Sequence, residues 1–127
     1  MVKQLKSSEI KKYFEVNPKT VLLDVRTENE WSSLGKPLTE NFNLKAYFIT
    51  LSPDLSKWQE IDVNFIEKVK KQIGKENEIL VMCAAGGRSM IAADLLEKEG
   101  YTTHNISDGF SGNGIDLGWK KEGLPSG

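Results

Sequence analysis

Val21-Leu22-Leu23 and Ile79-Leu80-Val81-Met82 are apolar at consecutive positions, without the in-and-out alternation of a strand that has one wet face. A strand with apolar side chains on both sides must be covered on both sides, as in a parallel sheet carrying helices. The rest of the chain supplies candidates for those helices. Ser7 or Ser8 is expected to cap one whose Ile10, Tyr13, Phe14 and Val16 face inward, with Asn17-Pro18 ending it. Asp62 is expected to cap another, with Phe65, Ile66, Val69 and Ile73 on one face and Gly74 as its C-terminal cap. A third carries Ile91, Leu95 and Leu96 and stops at Gly100. Strand candidates are a short edge strand at Leu5 and the runs 21–25, 46–50, 79–82 and 102–106. This alternation predicts an α/β fold on a mainly parallel central sheet of about five strands, flanked by helices on both faces. At 127 residues the chain is sized for one domain, residues 1–127.

The strand at 79–82 runs straight into Cys83-Ala84-Ala85-Gly86-Gly87-Arg88-Ser89, after which the helical pattern begins at Met90. A strand-loop-helix turn points backbone N–H groups into one small space and adds the positive end of a helix dipole. Cys83 is the only cysteine in the chain and opens that loop. Gly86 and Gly87 are read as residues that permit positive φ and leave no side chain over the cradle. Arg88 supplies fixed charge, and Ser89 is read as the helix N-cap. The thiolate is the form that such N–H groups and Arg88 stabilise, so a sulfur nucleophile in an anion cradle is expected. The competing reading of a lone cysteine at a strand end is a small buried hydrophobe. The glycine pair and the arginine favour the nucleophile.

Composition narrows the classes of function. Lys and Arg number 17 against 18 for Asp and Glu, so no global field recruits nucleic acid or an anionic membrane. No apolar run approaches the ~20 residues of a membrane helix. A lone cysteine forms no internal disulfide and the first residues carry no secretory signal core, which together suggest a cytoplasmic setting. His104 falls in the last predicted strand, where a strand or surface role is favoured over that of a base. One histidine and one cysteine make no zinc site, and neither metal nor organic cofactor is implied.

In open α/β sheets ligands bind outside the carboxyl ends of the strands, at a topological switch point. Cys83 falls at such an end, and so do Asp24 and Arg26. The last two either line the same mouth or serve structure: Asp24 capping the helix entered at Thr27 or pinning a loop, Arg26 in an internal ion pair. The structural reading is favoured for both.

Leu22-Leu23-Asp24-Val25-Arg26 followed by Glu30-Trp31, then Val81-Met82-Cys83 through Arg88-Ser89, Ala92-Ala93, Leu96 and Gly100-Tyr101, resemble a single-domain rhodanese. Asp108-Gly109-Phe110 and Gly118-Trp119 through Leu124-Pro125 extend the resemblance over nearly the whole chain. It implies a rhodanese-like fold and transfer of sulfane sulfur from a thiosulfate-like or protein-persulfide donor to a thiophilic acceptor, cyanide or a thiol. The sulfur would ride as a persulfide on Cys83, with loop N–H groups from Ala84 to Ser89 stabilising its terminal sulfur. Arg88 would hold the loop or the anionic donor, or else pair with an internal carboxylate. Ala84 and Ala85 stand where many members carry polar or basic residues, which predicts weak use of thiosulfate.

Two rival readings use the same residues. Cysteine phosphatases also pair a thiolate with an arginine, but the spacing from Cys83 to Arg88 is one residue shorter than theirs and leaves less room for a tetrahedral phosphate. The second rival is a rhodanese-like module that docks a protein partner, or relays sulfur from a protein persulfide without turning over small donors. Trp58 is read as core or as part of such a docking surface, and Ser111-Gly112-Asn113-Gly114 as a flexible rim without chemistry. A redox-sensor role lacks a resolving cysteine.

Overall fold

The computed structural model describes residues 2–57 and 60–127, so Trp58 lies outside the described residues. The elements follow in the order β1 (Lys3–Leu5), α1 (Ile10–Val16), β2 (Thr20–Asp24), α2 (Glu28–Leu34), β3 (Lys45–Phe48), α3 (Phe65–Gln72), β4 (Glu78–Met82), α4 (Gly87–Lys98), β5 (Thr102–Ile106) and α5 (Gly118–Lys121). The five strands form one sheet in the order β1-β5-β4-β2-β3, and every pairing is parallel. This is the mainly parallel five-stranded sheet expected from the uninterrupted apolar runs.

The two-faced strands divide the core as their period of two requires. Val21, Leu23, Ile79, Val81 and Cys83 pack on one side with Phe65, Val69, Ala92, Ala93 and Leu96 of α3 and α4. Leu22, Leu80, Met82 and Ile106 pack on the other with Ile10 of α1, Phe110 and Trp119. The topology also fixes where a ligand can bind. From β2 the chain runs outward to β3, whereas from β4 it runs the opposite way to β5, and β2 and β4 are neighbours with Asp24 opposite Met82. Their carboxyl ends therefore flank the switch point, and Cys83 sits directly on it.

Several local expectations are corrected. Neither Ser7 nor Ser8 caps α1: a 3-10 turn at Ser7–Glu9 precedes it, Glu9 takes the N-cap, and Ser7 is buried with its N–H and hydroxyl both donated to Asp108. Val16 is 74% exposed because the helix ends there at the surface. The N-cap of α3 is Asn64; Asp62 instead accepts the Asn64 N–H through its side chain and the Phe65 N–H through its carbonyl. Gly74 is not a left-handed cap, since the helix closes on extended Ile73. β3 stops at Phe48, two residues short of the predicted end.

Candidate active site

Cys83 follows β4 and is 1% exposed. Its Sγ accepts the Gly86 N–H at 3.1 Å and lies 3.3 Å from the Ser89 hydroxyl. The loop is bolted from behind: the Phe110 N–H donates to the Cys83 carbonyl and the Ser111 N–H to the Ala84 carbonyl, both at 2.9 Å. That close approach explains Gly109, where a Cβ would collide with both carbonyls. The glycine pair divides into two roles. Gly86 alone has positive φ, +98°, and a Cβ on it would run into the Ser107 carbonyl. Gly87 begins α4 with helical backbone, and nothing lies within 4 Å of a Cβ built there, so open space lies over the helix N-terminus.

Ser89 is corrected from N-cap to the third residue of α4, the cap being Gly86. Its buried hydroxyl faces Sγ on one side and Asn105 Oδ1, at 2.5 Å, on the other. Asn105, on β5, was not singled out by sequence reasoning. The available signal was an amide side chain in mid-strand, where asparagine is disfavoured without a partner. Its Nδ2 donates to the Gly86 carbonyl at 3.1 Å and to Gln4 Oε1 at 3.0 Å.

Both arginines near the loop are committed to carboxylates. Arg88 Nη1 and Nη2 donate to Glu30 Oε1 and Oε2 at 2.7 and 2.8 Å, with both side chains about a tenth exposed. Glu30 is in turn fixed by a capping box with Thr27 at the start of α2. Burial pushes the Glu30 carboxyl up, but the bonds from Arg88 and Thr27 outweigh it and hold the group below its usual range. The Arg88 guanidinium is raised chiefly by its bond to Glu30; burial opposes the shift, and the charges of Glu30, Cys83 and Asp24 add to it. Arg88 therefore pairs with an internal carboxylate, the structural one of its two readings.

Asp24 and Arg26 form a fully buried ion pair. Arg26 Nη2 donates to Asp24 Oδ2 at 2.8 Å and to the Gly35 carbonyl at 2.9 Å, and the guanidinium stacks 4.1 Å from the Phe110 ring. Both are fully buried, Arg26 in an internal ion pair and Asp24 as its partner, whereas the cap of α2 is Thr27 itself. His104 projects to the opposite face of β5 from Asn105, its ring 4.7 Å from that of Tyr13, and burial lowers its pKa. The rim at 111–114 is a hydrogen-bonded turn: Gly112 N–H donates to the Asp108 carbonyl, and Asn113 accepts the Ile115 and Asp116 N–H groups. A depression of about 380 Å³ is lined by Thr27, Glu28, Thr50, Pro53, Asp62 and Lys68 among others, and by no residue of the cysteine loop. Among the described residues no group of three or more His, Cys, Asp or Glu could hold a metal ion, and no helix is long and apolar enough to cross a membrane.

Fold and site together define a parallel α/β domain that presents a lone cysteine from a strand-loop-helix turn at the switch point of its sheet. The family model for the rhodanese-like domain matches residues 7–113, and the chain belongs to that family. An uncharacterized protein of Rickettsia prowazekii is 36% identical over 126 residues, covering 98% of this chain and 97% of the relative. The chloroplastic thiosulfate sulfurtransferase 16 of Arabidopsis thaliana is 32% identical over 108 residues, 82% of this chain and 77% of its own. Among solved structures, Rv0390 from M. tuberculosis superposes with a TM-score of 0.82 at 24% identity, covering 98% and 96% of the two chains. The polysulfide-sulfur transferase homodimer of Wolinella succinogenes gives 0.71 at 23% identity, covering 98% of this chain and 77% of that one.

Proposed function

We propose that the protein is a rhodanese-type sulfurtransferase that carries sulfane sulfur as a persulfide on Cys83. The observation that carries this reading is the placement of Sγ: at the switch point, under the N-terminus of the 12-residue α4, facing the Gly86 N–H and the Ser89 hydroxyl. These groups and the helix dipole favour negative charge where thiolate and persulfide need it. With thiosulfate as donor, the Cys83 thiolate attacks the outer sulfur, the S–S bond of the donor breaks, and sulfite leaves with the electron pair. Cyanide or a thiolate then attacks the outer sulfur of the persulfide and returns the Cys83 thiolate. The chemistry calls for no metal or organic cofactor, and a cytoplasmic setting keeps the thiol reduced.

A second reading, relay of sulfur from a protein persulfide, is favoured by the charge inventory at the loop. Arg88 and Arg26 are both paired, and Ala84 and Ala85 carry no charge, so a dianionic donor finds little to hold it. Intact mass of the unreduced protein before and after thiosulfate tests the proposal. A gain of about 32 Da, removed by cyanide and absent in Cys83→Ser, is expected for the covalent intermediate. Uptake from a protein persulfide but not from thiosulfate would select the relay, and uptake by the Cys83→Ser protein would overturn both readings.

A further inference from the structure

We infer that Asn105 is the positioning residue of this site, one amide that aims both of the groups contacting the sulfur. The inference rests on the sulfurtransferase reading for its meaning but not for its geometry. The Gly86 carbonyl can only accept, so the Asn105 end 3.1 Å away is Nδ2 and the end facing Ser89 is Oδ1. Gly86 is thus gripped at its carbonyl while its N–H points at Sγ, and Ser89 is gripped at its hydroxyl, 3.3 Å from the same sulfur. Gln4 of β1 holds the remaining Nδ2 proton and bonds Met90 of α4 through its own amide, which bridges the edge strand to the helix. Asn105 does not touch the sulfur; it acts through Gly86 and Ser89.

The Ser89 hydroxyl has one proton and two lone pairs. Bonded to Oδ1, it turns a lone pair toward Sγ and accepts from the thiol S–H. When the proton leaves and charge forms on the sulfur, rotation about the Cβ–Oγ bond delivers the Ser89 proton to Sγ and gives up its bond to Oδ1. Asn105 therefore sets both the rest position of that hydroxyl and the angle of the Gly86 N–H.

The direction of change in the rate at which iodoacetamide alkylates Cys83 distinguishes this role from a purely structural brace. A brace, once removed, loosens the loop around a sulfur that is 1% exposed and makes alkylation faster. Loss of aim at Gly86 takes its N–H off the thiolate and makes alkylation slower; because Oδ1 competes with Sγ for the single Ser89 proton, the comparison is made in the Ser89→Ala background. In Asn105→Ala/Ser89→Ala, with the fold checked by circular dichroism and a cooperative melt, alkylation at pH 7 should fall about threefold to tenfold below Ser89→Ala, the worth of one hydrogen bond to a charged group less the nucleophilicity that a raised thiol pKa returns. Asn105→Leu, nearly isosteric and uncharged, loses both amide donors and should slow alkylation as well in the same background. It serves where the alanine variant fails to fold. Ser89→Ala should slow it too, and Ser89→Thr, which keeps the hydroxyl, should restore most of the rate. An unchanged or faster rate in either folded Asn105 variant, relative to Ser89→Ala, overturns the inference. Alkylation needs no sulfur donor, so a wild-type protein that takes up no sulfur counts against the sulfurtransferase proposal and leaves this result readable.

Discussion

Arg88 gives its fork to Glu30, and that choice decides how the residue is to be tested. With both partners about a tenth exposed, removing one leaves the other charged and poorly solvated. Glu30→Gln should cost about 3 kcal/mol at pH 7, read from urea unfolding of variant and wild type. The pH dependence has a definite sign. The Glu30 carboxyl lies below its ordinary value of 4.5 in the folded protein, so the pair's contribution is complete above that value and is lost as the pH falls through the folded pKa. The stability gap between Glu30→Gln and wild type should therefore narrow in the acid range, and a gap equally wide at pH 3 and pH 7 would rule out the ionised pair as its source. Arg88 was legible in the sequence as a cation at the loop, but its partner was not, because Glu30 lies 58 residues away and only the fold brings α2 to the loop.

At the scale of elements, the strand-loop-helix turn is set by two neighbouring glycines with opposite demands. Gly86 holds φ at +98° against the Ser107 carbonyl; Gly86→Ala meets both backbone strain and a collision with immobile main chain. It should lose about 3 kcal/mol and the sulfur contact with it. Gly87 is helical and open, so Gly87→Ala should leave stability unchanged or raise it by up to about 1 kcal/mol. Thermal melts of the two variants check the contrast, and similar losses in both would mean that the turn is not divided as described. The sequence showed this turn clearly because its signals are contiguous: an apolar run, a cysteine, two glycines, a helical stripe. It showed Ser89 wrongly as a cap, because the cap role passed to a glycine in left-handed conformation and the hydroxyl was left free to face the sulfur. Asn105 went unread for a related reason, since its partners Gly86, Ser89 and Gln4 come from the turn after β4, from α4 and from β1.

For the whole molecule, the order β1-β5-β4-β2-β3 places the first strand of the chain beside the last, and the segment after β5 must hold both ends of the chain against the cysteine loop. Asp108 is the knot. Its buried carboxylate accepts the Ser7 N–H and hydroxyl at Oδ1, each at 2.9 Å, and the Gly118 N–H at Oδ2, at 3.0 Å. One residue on, Gly109 lies against the loop carbonyls, so the same turn fastens the N-terminal segment, α5 and the site. The sequence presented Asp108 only as part of the Asp108-Gly109-Phe110 stretch that extends the resemblance, since its partners stand 101 and 10 residues away. Asp108→Ala strands three buried donors, of which, among the described residues, only the Ser7 hydroxyl has a second acceptor, the Gly109 carbonyl at 3.2 Å. At ~1–2 kcal/mol for each donor left unpaired, the loss should be about 3 kcal/mol. For a chain of this size that lowers Tm by about 12 °C. Asp108→Asn keeps one carbonyl oxygen and turns an N–H2 toward one donor group, so its loss should fall between wild type and Asp108→Ala. Melting curves of all three decide the point: a cooperative fall in that order supports the knot, whereas an Asp108→Ala protein melting with wild type would show that the two ends are held without it, by the backbone bonds of Ser107 and Trp119 and the apolar contacts of Phe110 and Trp119.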